Sequence, residues 1–172
     1  MYKTVLFDLD GTLLNTIDDL ADSANRVCAA HGWPQYETAQ YRYFVGNGIP
    51  KLVERFSPAS CRSPEQLAAT LAEFSARYDA HKEDKTAPYP GIPELLEQLQ
   101  EKGMILAVAS NKYQSATVKL ISHYFPHIRF TAVFGQREGV NVKPDPTVVH
   151  DILDITRTVS YTHLRAHETL AN

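Results

Sequence analysis

The sequence predicts an α/β fold in which a parallel sheet carries an inserted block of helices. Three observations predict it. Residues 4–9, Thr-Val-Leu-Phe-Asp-Leu, are a short apolar run leading into carboxylates and a glycine, as a buried parallel strand with a polar C-terminal tip would be. From about residue 16 to residue 86 the recurring apolar spacing is helical, with a mixed stretch over 36–57. After Pro88-Tyr89-Pro90-Gly91 it changes to helix and strand in alternation, the pattern of a sheet built from crossovers.

The elements follow in order. After the first strand, Ile17, Leu20, Ala21, Ala24, Val27 and Cys28 recur at helical spacing, with Thr16 and Asp19 placed as a capping box and Gly32 and Pro34 as stop signals. A Gly46-Asn47-Gly48 turn precedes Ile49, Leu52, Val53 and Phe56, again at helical spacing. Ser63 and Gln66 supply capping chemistry for a long helix with Pro64 at its first position. Leu67, Leu71, Phe74, Tyr78 and His81 form its stripe, and His81 reads as a boundary histidine, not a ligand.

Beyond the linker, Leu95, Leu96 and Leu99 make a short helix closed by Gly103. Met104–Ala109 form a second buried strand with Ser110-Asn111-Lys112 at its tip, followed by a helix over 115–124. Thr131–Gly135 read as a third strand, and Asp145-Pro146 open a helix carrying Val148, Val149, Ile152 and Leu153. The expected organisation is a sheet core over 1–15 and 87–155 with a helical insertion over 16–86. Residues 156–172 show no period, and Val159–Thr169 back-translate into what looks like a transposon-end sequencing adapter read in frame. That tail is expected to be non-native, so His163 and His167 are not taken as a metal pair.

Composition narrows the function. The 172 residues are 44% apolar with a formal net charge of -3, and charged residues are spread along the chain without a Lys/Arg block. Nucleic acid and acidic membrane surfaces are therefore not expected partners. Two cysteines, Cys28 and Cys61, are too few for a disulfide framework, and Cys28 falls on the apolar side of a helix. The chain starts directly on a strand pattern without a charged-then-apolar leader, and no apolar run approaches the ~20 residues of a membrane span. The cytoplasm is the expected location.

The strongest chemical signal is Asp8-Leu9-Asp10-Gly11-Thr12-Leu13 at the end of the first strand. On an extended backbone Asp8 and Asp10 share one side, so two carboxylates converge outside the C-terminal edge of the sheet, where ligands of open α/β sheets bind. Such a pair suits a hard cation, Mg2+ above all, which takes a few carboxylate oxygens together with water and substrate phosphate. Gly11 lets the chain turn, and Thr12 offers a hydroxyl near the same place.

These residues resemble the first motif of the haloacid dehalogenase superfamily, Asp-x-Asp-Gly-Thr, matched by Asp8, Asp10, Gly11 and Thr12. The resemblance runs from about residue 3 to residue 155. It includes the second motif, a Ser or Thr at the next strand tip, here Ser110, and the third, a Lys just before a helix, here Lys143. The resemblance implies a Rossmann-like core with a helical cap over 16–86, and Mg2+ as cofactor held by Asp8 and Asp10. It implies Asp8 as nucleophile, Asp10 as acid and then base, Thr12, Ser110 and Asn111 as phosphate-binding groups, and Lys143 bridging Asp8 and phosphate. An acid at the position of Asp10 favours the phosphatase branch over the dehalogenases.

Residues 12–25, Tyr89-Pro90-Gly91 and Ser110-Asn111-Lys112 look especially like the phosphoglycolate phosphatase group, with Asn15 in place of a more usual Asp. Gly46-Asn47-Gly48 resembles the cap loop that closes over substrate. The implied partner is a small phosphorylated metabolite, 2-phosphoglycolate first, with a pyrophosphatase, a sugar-phosphate phosphatase or a non-catalytic fragment as alternatives. The oligomeric state is not legible. The superfamily's fourth motif, an acidic segment on a further core strand beside the first, is absent after Ile155. The chain as written is therefore expected to be weakly stable and little active, with the last core strands missing.

Overall fold

The computed structural model describes residues 3–156. Its centre is a three-stranded parallel sheet, β1 (Thr4–Phe7), β4 (Ile105–Tyr113) and β5 (Phe130–Gln136), in the order β1-β4-β5. Thr4 to Phe7 register with Ile105 to Val108, so the C-terminal ends of both strands emerge on the same side. Being central, β4 is apolar and buried from Leu106 to Ala109, as a strand covered on both faces must be. Among the described residues β1 is an edge strand.

Helices cover both faces of the sheet. Leu9, Leu13, Leu96, Leu106, Val108, Leu120, Ile121 and Phe125 close one face beneath α5 (Ile92–Glu101) and α6 (Gln114–Tyr124). Ala107, Ala109, Ala132, Val148 and Ile152 close the other beneath α7 (Thr147–Thr156). A separate apolar cluster belongs to α1 (Ile17–Ala30), α2 (Thr38–Phe44), α3 (Ile49–Phe56) and α4 (Pro64–His81), where Tyr41, Phe56, Phe74 and Tyr78 are fully enclosed. The chain passes between these two regions twice. At both crossings it is extended, and β2 (Leu14–Asn15) pairs antiparallel with β3 (Ala87–Pro88).

The mixed α/β class and the parallel sheet agree with the sequence, and three local expectations are corrected. Thr16 and Asp19 do not form a capping box. The Thr16 hydroxyl donates to Asp10 instead, and the Asp19 carboxylate, only 2% exposed, accepts from the Lys85 and Thr86 N–H groups and the Thr86 hydroxyl. The Ser63–Gln66 box does form, and a second one, Glu37–Gln40, starts α2. Strand β4 does not stop at Ala109 but runs through Ser110-Asn111-Lys112 to Tyr113, whose residue pairs with Gln136 across an irregularity in register. His81 leaves the buried stripe and pairs with Asp84 at the surface, 2.8 Å away.

Cys28 is buried, as its helix position implied, and burial pushes its thiol up to about 11. None of the described helices is long and apolar enough to cross a membrane. Apart from Thr156, the expected non-native tail lies outside the described residues, as does the place expected for a fourth motif.

Gly135 shows why β5 can lie so close to the tip of β4. A Cβ there would sit 2.4 Å from the Lys112 carbonyl, 2.6 Å from the Thr117 hydroxyl and 2.9 Å from Gln114 Cα. Two of these are backbone atoms that cannot swing away. Gly135→Ala should therefore destabilise the protein by about 1–3 kcal/mol through overpacking, visible as a melting temperature lowered by several degrees. A variant that melts with the wild type would show that the strands have room to spare.

Candidate active site

The chain leaves β1 and turns tightly. The Leu9 carbonyl accepts the N–H groups of Thr12, Leu13 and Leu14, at 3.3, 3.0 and 3.1 Å, while Gly11 takes φ +78°, which glycine adopts without steric cost. Asp8 and Asp10 therefore do not share one face of a straight strand. They are brought to the C-terminal edge of the sheet by a turn, with Leu9 between them driven into the core.

Each carboxylate meets its own lysine. Lys143 Nζ lies 3.0 Å from Asp8 Oδ1 and also donates to the Ala109 carbonyl at 2.7 Å. Asp8 Oδ1 accepts the Leu9 N–H as well, at 2.7 Å, which leaves Oδ2 open. Lys112 Nζ donates to both oxygens of Asp10, at 3.0 and 3.2 Å, and Thr16 adds its hydroxyl to Oδ1 at 2.7 Å. Lys112 is the buried member, with a side chain 2% exposed and its ammonium 4.8 Å from the centre of the Tyr78 ring.

The electrostatics follow from these pairings. Burial raises the Asp8 carboxyl above its ordinary value, the Lys143 ammonium and its hydrogen bond oppose the rise, and the charge of Asp10 adds to it. Burial works against the Lys112 charge, but Asp10 and then Tyr78 outweigh it and hold the ammonium above the ordinary lysine value. Burial pushes the Tyr78 hydroxyl up to about 12.

Of the other expected site residues, Ser110 is buried at the strand tip, where its oxygen accepts the Lys112 N–H at 3.1 Å and its own proton is left to donate. Thr12 lies half-buried in the turn. The Asn111 side chain is a clip: its oxygen accepts the Lys143 N–H at 2.7 Å, and its nitrogen donates to the Lys143 carbonyl at 3.0 Å and the Gly46 carbonyl at 2.8 Å. This commits the side-chain amide to protein groups.

The glycine loop is only partly drawn in. Gly46 is bonded to Asn111 and a Cβ on Gly48 would lie 3.6 Å from Gln136, but Asn47 turns back to Arg55 on α3. Beside this loop a cleft of about 260 Å³ opens between α3, α4 and the ends of β4 and β5, lined by Pro50, Leu71, Ser75, Asp79, Tyr113 and Gln136.

The donor set suits a hard cation at one point. Asp8 Oδ2 is an open carboxylate oxygen, whereas both oxygens of Asp10 are occupied by Lys112 and Thr16, so Asp8 is the better placed of the two expected ligands. Among the described residues no group of three or more His, Cys, Asp or Glu gathers in one place. A single protein carboxylate with water and substrate phosphate is a mode that magnesium accepts.

A paired Asp8–Lys143 and Asp10 at the tips of a parallel sheet are accompanied by a match of residues 5–165 to the family described as haloacid dehalogenase-like hydrolase. The chain belongs to the haloacid dehalogenase-like hydrolases. This hydrolase is 33% identical over 168 residues to a phosphoglycolate phosphatase of Mesorhizobium japonicum, covering 96% of this chain and 71% of that one. It is 34% identical over 158 residues to the phosphoglycolate phosphatase of Vibrio cholerae, covering 88% and 70%. Among solved structures it resembles a phosphoglycolate phosphatase predicted for Haemophilus somnus, with a TM-score of 0.83 and 26% identity over 91% of this chain and 72% of that one. It also resembles CbbY of Rhodobacter sphaeroides in complex with phosphate, with a TM-score of 0.72 and 25% identity over 91% and 73%.

Lys112 and Thr16 are the site residues that the sequence alone did not single out for this role. A signal for Lys112 was present: on a strand that continues past Ala109, residues 110 and 112 share a face, so Lys112 follows Ser110 into the site.

Proposed function

We propose that this hydrolase cleaves a small phosphate monoester, 2-phosphoglycolate being the first candidate, through an aspartyl-phosphate intermediate on Asp8. The observation that carries the reading is the Asp8–Lys143 pair, 3.0 Å apart with Asp8 Oδ2 left open, at the strand tips. The curated phosphoglycolate phosphatases at 33–34% identity support the choice of substrate class.

Phosphoryl transfer asks the protein chiefly to position groups and neutralise charge. Asp8 forms a bond to phosphorus through one carboxylate oxygen as the ester P–O bond breaks, and the proton of the Asp10 carboxyl passes to the departing alkoxide. Water then gives a proton to the Asp10 carboxylate and attacks phosphorus, the acyl-phosphate P–O bond breaks, and phosphate leaves with the Asp8 carboxylate restored. The Ser110 hydroxyl and the Asn111 N–H donate to equatorial oxygens, with Thr12 beside them, and Lys143 balances charge between Asp8 and phosphate. Mg2+, held by Asp8 with Asp10 next to it, would offset repulsion between nucleophile and substrate.

On the same reading residues 16–86 act as a cap over the core of 1–15 and 87–155, and the loop at Gly46, Asn47 and Gly48 borders the substrate. The bond from Asn111 to Gly46 favours this placement. A panel of phosphate monoesters, pyrophosphate and sugar phosphates assayed with and without magnesium tests the proposal. Magnesium-dependent release of phosphate, fastest from 2-phosphoglycolate, is expected. Release that is equal without the metal, or preference for pyrophosphate, would contradict it.

A further inference from the structure

Three consecutive residues at the tip of β4 reach the helical layer by three different chemistries. The Asn111 amide donates to the Gly46 carbonyl, the Lys112 ammonium lies over the Tyr78 ring, and the Tyr113 hydroxyl donates to the Asp79 carboxylate. Only Lys112 also reaches a carboxylate of the site, with donor distances of 3.0 and 3.2 Å to the two oxygens of Asp10.

An ammonium in that place needs a reason. A buried ion pair contributes little net stability, and an apolar side chain of similar length commonly fills such a space at equal or greater stability. The geometry supplies the reason. Spanning both oxygens, the ammonium fixes the rotation of the Asp10 carboxylate, and Thr16, at the start of α1, also donates to Oδ1. The ammonium also lies over the ring of Tyr78, which stands in the helical cluster and stacks on Phe74 at 5.7 Å. A shift of α4 would therefore move the ring that seats Lys112, and Lys112 would carry the shift to Asp10.

We propose that Lys112 is a positioning residue for departure of the leaving group: it places the Asp10 carboxyl and makes that placement depend on how α4 sits against the core. The inference rests on the reading above that Asp10 gives its proton to the leaving oxygen.

The test uses the full chain in single turnovers with enzyme in excess, following release of the alcohol from two esters. 4-Nitrophenyl phosphate has a leaving group that departs without a proton, whereas 2-phosphoglycolate has an alkoxide that needs one. Lys112→Met should slow the alkyl ester about 100-fold and the aryl ester only a few-fold, the size of a misplaced general acid. Tyr78→Leu should show the same selectivity at about tenfold, since it removes the ring and leaves the ion pair. Lys112→Arg should restore part of the alkyl rate.

Asp10→Asn, run alongside, separates the role of Lys112 from that of Asp10. If it is selective for the alkyl ester but Lys112→Met slows both esters equally, or neither, Lys112 is structural and the proposal is overturned while the role of Asp10 stands. If Asp10→Asn is itself unselective, the reading of Asp10 fails and the proposal with it. Should Lys112→Met not fold, Tyr78→Leu and Lys112→Arg decide: an alkyl-to-aryl ratio unchanged from wild type in both overturns it.

Discussion

Asp8→Asn is expected to lower phosphatase turnover about 10⁴-fold or more, because a neutral amide is a poor nucleophile and a poor ligand for a hard cation. The substitution keeps the shape of the side chain and an oxygen to accept the Leu9 N–H, and the relief of a buried charge, to which Asp10 adds repulsion, offsets the lost attraction of Lys143. Thermal unfolding should therefore change little while activity disappears. Turnover within tenfold of wild type would remove Asp8 from the mechanism.

Lys143→Ala should cost about 10²–10³-fold in kcat/KM, the scale of losing one charge-stabilising donor. Its pH dependence is the sharper readout. Burial already raises the Asp8 carboxyl and Lys143 opposes that rise, so deleting the ammonium moves the carboxyl higher still. A nucleophile must be ionised, and the acidic limb of the kcat/KM profile should therefore move to higher pH in the variant. A limb that stays in place would mean that Lys143 does not set the charge of Asp8, whatever it does to the substrate. The Ala109 carbonyl also loses its Lys143 partner, so the melting temperature should be measured beside the rates.

Asp8, Asp10, Ser110 and Lys143 were legible because each sits in a short local pattern at a strand end or before a helix, and a strand end is a place the sequence marks. Lys112 was not legible in the same way. A lysine following Ser-Asn reads as solvated, and its burial depends on Asp10, 102 positions earlier in the chain, and on Tyr78 in another element. Thr16 and Asp19 misled for a related reason. Their types and spacing suit a helix cap, but the same hydroxyl and carboxylate met stronger partners across the fold, Asp10 for one and the Lys85 and Thr86 N–H groups for the other. The β2–β3 ribbon was invisible because two residues per strand carry no period, and only the crossing of the chain brings Leu14 opposite Pro88. The parallel sheet was visible because Leu106–Ala109 is apolar at every position, which alternation cannot disguise.

On the proposed mechanism phosphate passes through Asp8. The most direct measurement is to mix the chain with 2-phosphoglycolate and magnesium, quench in acid during turnover, digest, and look by mass spectrometry for a phosphoryl group on the peptide containing Asp8. This peptide is expected to carry the phosphoryl group, with Asp8 the modified residue, and the Asp8→Asn chain is expected to carry none. Steady release of phosphate with the Asp8 peptide unmodified at every quench time, or with the phosphoryl group on another residue, would contradict it.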